Sequence, residues 1–403
     1  MTAFASERLR ALIAEELPGA IACRRDLHMH PEIGYEERRT AEVIRSHLTA
    51  SGVSFRGGLA GGTGTLAHLP GRDQRSSIAL RADIDALPID EEGTQTWRST
   101  IPGRMHACGH DGHTSILLTT ARVLARIAKE SGLPRSVTLL FQPAEEGGAG
   151  GRRMCEDGCL DGTVIGPKVE RIYGLHGWPA LDVGTVGTRA GALFACSDRL
   201  EIVVRGEGAH AAFPHFSRDP IVAGAAIVTA LQSILGRNVD PLEPAVVSVT
   251  TFHGGSAMNV IPPSVTLTGT ARALSAATRD LVERRIGEIS RAVAEAHGCT
   301  AQATYTRGYP VTANDANEAA RFNRLATRVL GAERNQPLER PVMGGEDFSF
   351  YAERVPACFF ALGLRRPGAA MPALHHPLFD FNDDAIALGV EMFCRLALDE
   401  EAA

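Results

Sequence analysis

Three histidines, a cysteine and an aspartate fall within ten residues in "MHACGHDGHT" (105–114). Such a stretch can supply a nucleophile with its base, a structural zinc knot, or one wall of a catalytic metal site. Cys108 and His110, two residues apart in a Gly-containing loop, can both reach one ion. A structural knot needs four closed ligands and usually C-x-x-C spacing, which is absent from the stretch, so the knot is disfavoured. A cysteine nucleophile needs an imidazole base and an orienter. His110 can be that base, so the pair alone leaves thiol nucleophile and metal ligand both open. It is also compatible with a loop cysteine beside a solvated histidine.

The second feature is "FQPAEEGG", where Glu145 and Glu146 stand side by side after an apolar run. Adjacent carboxylates are costly there unless a cation compensates them. An exposed acidic turn is the plainer reading, but the flanks are apolar and Gly-rich. A divalent ion explains the pair: one glutamate binds it, and its neighbour takes a proton from water. His176 follows "RIYGL", and His375 and His376 lie in "LHHPLFDFNDD". A single such histidine is more often structural than a ligand. Together with Cys108 and the carboxylates, however, the donors suit two borderline ions. Asp85, in "RADIDALP", suits the task of holding a ligand imidazole by its other ring nitrogen. Its alternative is a turn aspartate ahead of Pro88.

These residues need a frame. At 403 residues, the chain is long enough for two domains. Hydrophobic content of 44% and charged content of 22% predict a soluble globule. A net charge of −6 without basic runs excludes a nucleic-acid footprint. No run approaches eighteen consecutive apolar residues, so no membrane span is expected. The N-terminus reads as a charged amphipathic helix rather than a secretory signal. The eight cysteines are dispersed, as buried thiols or ligands would be, and a cytoplasmic protein is expected.

The first half alternates strand and helix. Strand patterns cover 64–71, 76–89, 136–146 and 171–179, and a helix covers 113–132 with Thr114 as N-cap and Gly132 as stop. Apolar strands between helices predict a sheet covered on both faces, with chemistry at its strand ends. Asp83, Asp85, Glu145, Glu146 and His176 all fall at or just beyond those ends. From about Ala190 the order becomes β-α-β-β-α-β, the split βαβ or ferredoxin-like pattern. The expected fold is therefore α/β: a three-layer αβα catalytic domain in two pieces, 1–189 and 307–403, with an α+β domain at 190–306 inserted. There is no internal repeat and no low-complexity segment.

Nine stretches in order, "RRDLHMHPEIGYEE", "RADIDALPI", "MHACGHDGHT", "FQPAEEGG", "GLHGWP", "GAHAAFPH", "HGGSAMNVIP", "GGEDFSFY" and "LHHPLFDFND", resemble the M20 metallopeptidase family over nearly the whole chain. They look most like its amidohydrolase branch of hippurate, indole-3-acetyl-amino-acid and N-acyl-amino-acid hydrolases. The resemblance implies two divalent ions, manganese or zinc, with cobalt or nickel also allowed. Cys108 would bridge them. His110 and His176 would complete one ion and Glu146 and His375 the other, with Glu145 as general base. His375 fits the family's L-H-x-P pattern better than His376. Sister branches place a histidine where this chain has Asp83, and His110 would supply the missing imidazole.

The resemblance also makes the inserted domain a lid and homodimerisation domain. His210 would approach the scissile carbonyl, often from the partner subunit. Asn259 and Arg272 would bind the substrate carboxylate or shape the site, and Gly345 and Glu346 would form part of a substrate wall. His106, His113 and Asp111 remain supporting or structural residues. The implied reaction is hydrolysis of the amide bond of N-acyl amino acids or similar small conjugates. A dipeptidase or carboxypeptidase is the alternative within the family. A cysteine hydrolase using Cys108 or a non-catalytic binding protein is the alternative outside it.

Overall fold

The apolar runs of the first half become strands buried on both faces. Arg135–Gln142 is buried at every position after the first, and Asp73–Asp83 over its last seven residues. Strands of that kind need helical cover on both sides. The computed structural model, which describes residues 3–399, sets them in a seven-stranded sheet. The order across it is Ser54–Leu59, Gly64–Leu69, Arg135–Gln142, Asp73–Asp83, Val169–Asp182, Ala357–Arg365 and Val186–Gly187. The four central strands run parallel, and antiparallel pairs close both edges.

Alternation along Ala357–Arg365 shows the three layers. Phe360 packs against Phe322 and Phe393, with ring centroids 4.5 and 5.8 Å away. Phe359, its neighbour, faces the opposite side of the sheet and meets Phe348 at 4.9 Å. On the Phe360 side, Ala3–Met29, His110–Ser131 and Ile386–Leu398 pack on one another. His110–Ser131 begins after Gly109, whose φ of 87° is left-handed, and ends at Gly132. It thus starts four residues before the cap expected at Thr114. The Thr114 hydroxyl instead donates to the Asp83 carbonyl (3.0 Å) and ties the helix to a strand end. Gly112 lets the same helix start pack on the Phe381 ring, because a Cβ there would lie 2.6 Å from that ring.

The chain divides into two compact units. One is Met1–Gly191, Ala313–Glu339 and Asp347–Ala403; the other is Ala192–Thr312 with Arg340–Glu346. The second unit is a four-stranded antiparallel sheet, ordered Ala245–His253, Ser264–Ala273, Ser197–Arg205, Thr300–Tyr309. Its helices are Pro220–Arg237 and Ala276–Ala296, giving the β-α-β-β-α-β order. Leu200, Ile202 and Val204 alternate inward to meet Ile227, Leu231 and Ile286 of those helices. By length and composition Pro220–Arg237 could cross a membrane, yet its Ala223, Ile227, Leu231 and Ile234 stripe is spent on this core.

Two details depart from the sequence division. Thr300–Tyr309 runs past residue 306, because Tyr309 still pairs with Ser197. Residues 340–346 belong to the second unit: Val342 donates to Leu193 O (2.9 Å), and Ala195 donates to Val342 O and Gly344 O (3.1 and 2.9 Å). A short segment far along the chain thus extends the strand edge at 193–195.

Phe360 is fully buried between two helices. Phe360→Ala is expected to destabilise the first unit by about 3–5 kcal/mol, read as a lowered urea midpoint at unchanged m-value.

Candidate active site

The four parallel strands each deliver donors at their carboxyl ends, where an open α/β sheet gathers its chemistry. Asp73–Asp83 leads into the loop that carries Asp85, Cys108 and the helix start at His110. Arg135–Gln142 leads into the Ala144–Gly148 turn with Glu145 and Glu146. Ala357–Arg365 leads to His375. His176 differs from expectation: it lies inside Val169–Asp182, which continues along Ala357–Arg365 with His176 opposite Ala361. Its position is still an edge, because pairing with Asp73–Asp83 stops at Gly174.

Two of the donor groups that result share one atom. Cys108, His110 and His176 form the first; Cys108, Glu146 and His375 form the second, with ligand atoms inside each group no more than 4.8 Å apart. Glu145 joins His110 and Glu146 in a third. Cys108 Sγ is 3.3 Å from His176 Nε2, and His375 Nε2 is 3.1 Å from Glu146 Oε1. His375 is held by its own N–H, which donates to Ala107 O (2.8 Å), and by a left-handed φ of 65°. His376 enters none of these groups among the described residues; its Nδ1 accepts the Leu378 N–H.

Backbone carbonyls set the imidazole tautomers. A carbonyl only accepts, so His110 Nδ1 donates to Asp85 O (2.9 Å) and His176 Nδ1 donates to Gly177 O (2.8 Å). Nδ1 of each ring is thus committed, and Nε2 is the atom left to offer a metal, the arrangement usual for a ligating histidine. His110 Nε2 is buried without a hydrogen-bond partner. Asp85 Oδ1 also lies 3.3 Å from His110 Nδ1, and its Oδ2 accepts the Glu146 N–H (3.0 Å). The histidine read as structural, His113, has both nitrogens occupied. Nδ1 meets Asp83 Oδ1 (2.7 Å), and Nε2 accepts the Gly177 N–H (2.8 Å). His106 is pushed down to about 4 by burial and stays neutral.

Electrostatics favour a cation at this place. Burial drives the Cys108 thiol well above its ordinary range, and the charges of Glu146, Glu145 and Asp83 drive it further. The protein alone therefore keeps Cys108 protonated, which argues against an attacking thiolate. Burial alone would lower His110, but the charges of Asp83, Asp85 and Glu146 and a bond to Asp85 raise it to about 10. A buried thiol, imidazoles with Nδ1 already committed and paired carboxylates fit divalent metal ions, which would neutralise that excess.

The chain matches the model of peptidase family M20/M25/M40 over residues 79–399. The chain belongs to that family. Among M20 relatives it is 38% identical over 382 residues to the IAA-amino acid hydrolase ILR1-like 2 of Arabidopsis thaliana, covering 94% of this chain and 84% of that one. It is 37% identical over 384 residues to the N-acetylcysteine deacetylase of Bacillus subtilis, covering 94% and 96%. The solved Bacillus subtilis YXEP protein, described as a dinuclear metal-binding peptidase of the M20 family, superposes with a TM-score of 0.82 at 33% identity, covering 96% and 98%. These relatives are hydrolases of amide C–N bonds.

Other predicted residues of this M20 chain lie on its second unit. His210 is exposed on a short ribbon, paired with Val260, and its Nδ1 accepts the Ala212 N–H (3.1 Å). Asn259 is exposed beside it, and its carbonyl accepts the Ala211 N–H (2.9 Å). Arg272 is half-buried next to Gly345, where a Cβ would lie 3.4 Å from the guanidinium and 2.9 Å from Ser197 Cβ. That close approach is a physical reason for glycine in "GGEDFSFY".

Sequence reasoning left Asp347 of the same motif without a role. Its N–H donates to Glu145 Oε1 (3.3 Å), and its carboxylate accepts from Arg81, Gln142 and the Gly151 N–H (2.8–2.9 Å). The motif marked the place, but only long-range contacts reveal this link to Glu145.

Behind the helix start, fully buried Arg24 pairs with Asp111 (2.9 Å) and Asp380, while His28 bridges Asp111 (2.8 Å) and Glu91 (3.3 Å). Burial would lower His28, but the charge and bond of Asp111 and the bond of Glu91 raise it from 6.5 to about 9. Its folded value lies above its unfolded one, so its stabilisation is complete below pH 6.5 and is lost as pH rises through about 9. The stability gap between wild type and His28→Gln, measured by urea unfolding, is expected to shrink by roughly 1–3 kcal/mol across that window. An unchanged gap would refute the charged-His28 account.

Proposed function

We propose that this protein hydrolyses the amide bond of N-acyl amino acids or similar small conjugates at a two-metal site. The observation that carries the reading is the sharing of Cys108 between two donor groups with Glu145 alongside. Cys108 as thiolate would bridge the ions, with His110 and His176 on one and Glu146 and His375 on the other. Bound there, the ions supply Lewis acidity to water and to the amide carbonyl. Zinc or manganese suits this mixed set of thiolate, imidazole and carboxylate, with cobalt or nickel as further candidates.

Glu145 acts as general base, taking the proton of the attacking water and delivering it to the departing amine nitrogen. The Asp347 N–H on Glu145 Oε1 orients that carboxylate. Asp85 engages His110 Nδ1, which leaves Nε2 as the atom available to an ion. On the second unit, His210 would stabilise the oxyanion, while Arg272 and Asn259 would take the substrate carboxylate. That unit would serve as lid and homodimerisation domain. Its exposed Phe213, Phe216, Met258 and Val260, gathered around the His210 ribbon, are the apolar surface such a contact uses. The eight free cysteines support a cytoplasmic location.

The substrate class rests on the family's amidohydrolases and on the deacetylase and conjugate hydrolase to which the chain is similar. Metal analysis joined to a panel of N-acetyl, N-benzoyl and indole-3-acetyl amino acids and free dipeptides tests it. Preference for free dipeptides would replace the reading with a peptidase of the same family. Activity that survives chelation would return the cysteine hydrolase.

Glu145→Gln is expected to keep both ions and lose about 10²–10⁴-fold in kcat. Near-normal kcat at full metal occupancy would remove Glu145 from the role of base. Cys108→Ala is expected to lose metal and activity together, and a metal-replete, active variant would end the bridging role.

A further inference from the structure

The stretch "RRDLHMHPEIGYEE" has so far no part in the chemistry. Its last residue, Glu37, is fully buried just ahead of the helix Arg38–Ser51. One carboxylate oxygen accepts the Thr63 hydroxyl (2.9 Å), and the other accepts the Ala144 N–H (2.8 Å). Ala144 begins the turn that presents Glu145 and Glu146, and it is left-handed, with φ 52° and ψ 46°. That conformation costs a non-glycine residue about 1–2 kcal/mol, so surrounding contacts must enforce it.

The same stretch supplies further contacts. Gly34 is so close that a Cβ there would lie 3.0 Å from Ala144 Cβ. The Tyr35 hydroxyl donates to Gly148 O (2.6 Å), at the far end of the turn. Gly148 is itself pressed on Ala144, where a Cβ would lie at 2.7 Å. Two carboxylates then anchor the backbone on either side of Glu145: Glu37 holds the Ala144 N–H, and Asp85 holds the Glu146 N–H (3.0 Å).

The geometry points to Glu37 as a positioning residue that fixes the Ala144 amide and so sets the direction in which Glu145 and Glu146 leave their turn. It touches no reacting atom. A shift near 1 Å at a reacting group can cost about 100-fold in rate. The inference rests on the reading of Glu145 as general base.

The test compares Glu37→Asp, Glu37→Gln and Glu37→Ala in the metal-loaded full chain. Kinetics, metal content and hydrogen exchange of residues 142–149 are read together. Aspartate retracts the carboxylate by one methylene, whereas glutamine keeps an oxygen for the Ala144 N–H. Expected are a kcat loss of about 10- to 100-fold in the Asp and Ala variants, KM within about twofold, both ions retained, and faster exchange over 142–149. Glutamine is expected to restore kcat to within about threefold and to restore slow exchange.

An Asp variant with full kcat, a Gln variant no better than Asp, or a kcat loss that tracks metal loss would overturn the inference. If Glu37→Ala does not fold, the Asp and Gln pair decides. A wild type inactive on every amide would defeat the hydrolase reading instead, and the exchange comparison would still decide whether Glu37 holds the turn.

Discussion

The site depends on a concentration of buried negative charge that the protein neutralises only in part. Asp83 has Arg81 at 2.8 Å and His113 at 2.7 Å, and Asp111 has Arg24 at 2.9 Å and His28 at 2.8 Å. Asp347 shares Arg81. Each of these carboxylates has a guanidinium within ion-pair range. Around Cys108 the pattern changes: Glu146 has only His375 in ion-pair range among the described residues, and the thiol is held protonated by burial and neighbouring carboxylates. Buried charge of one sign is costly in low dielectric, and divalent ions held by Cys108, Glu146 and the neighbouring histidines would offset that cost and favour the thiolate.

The parallel sheet explains why those donors meet. Four neighbouring strands of one direction end at one edge, so segments more than 260 residues apart in sequence, from Cys108 to His375, converge without any local motif joining them. The Arg81–Asp83–His113 chain shows the same economy. It starts on one strand, passes through the helix at residue 113, and ends on the Gly177 N–H beside His176. The strands bring these donors to one edge, and hydrogen bonds to the loops and turns then fix them, as Glu37 and Asp85 do at the Ala144–Gly148 turn.

Much of the site was legible in the sequence because its residue types are rare together. Cys108, His110, Glu145, Glu146 and His375 stand in short polar breaks between apolar runs, and those breaks become strand ends. The alternation of strand and helix, and the switch to β-α-β-β-α-β near residue 190, followed from hydrophobic periodicity. Boundaries were less legible. The helix begins at His110 rather than beside Thr114, because a left-handed Gly109 and the Phe381 ring admit an earlier start. Val169–Asp182 runs through His176, because a neighbouring strand from residue 357 onward continues to pair with it.

By itself, the sequence determined the family, the α/β class and the residue types of the candidate donors, since these are carried by residue type, order and period. Only the tertiary structure decided which donors share an atom, which histidines are already spent, and what holds the turn at Glu145 and Glu146. His113 and His110 look alike in the sequence, yet one is saturated by Asp83 and Gly177 and the other keeps Nε2 without a hydrogen-bond partner. Glu37 and Asp347 reach the turn from 107 and about 200 residues away. No local pattern encodes such pairings. Hydrogen bonds and ion pairs act over a few ångströms in space, and only folding brings those groups within that range.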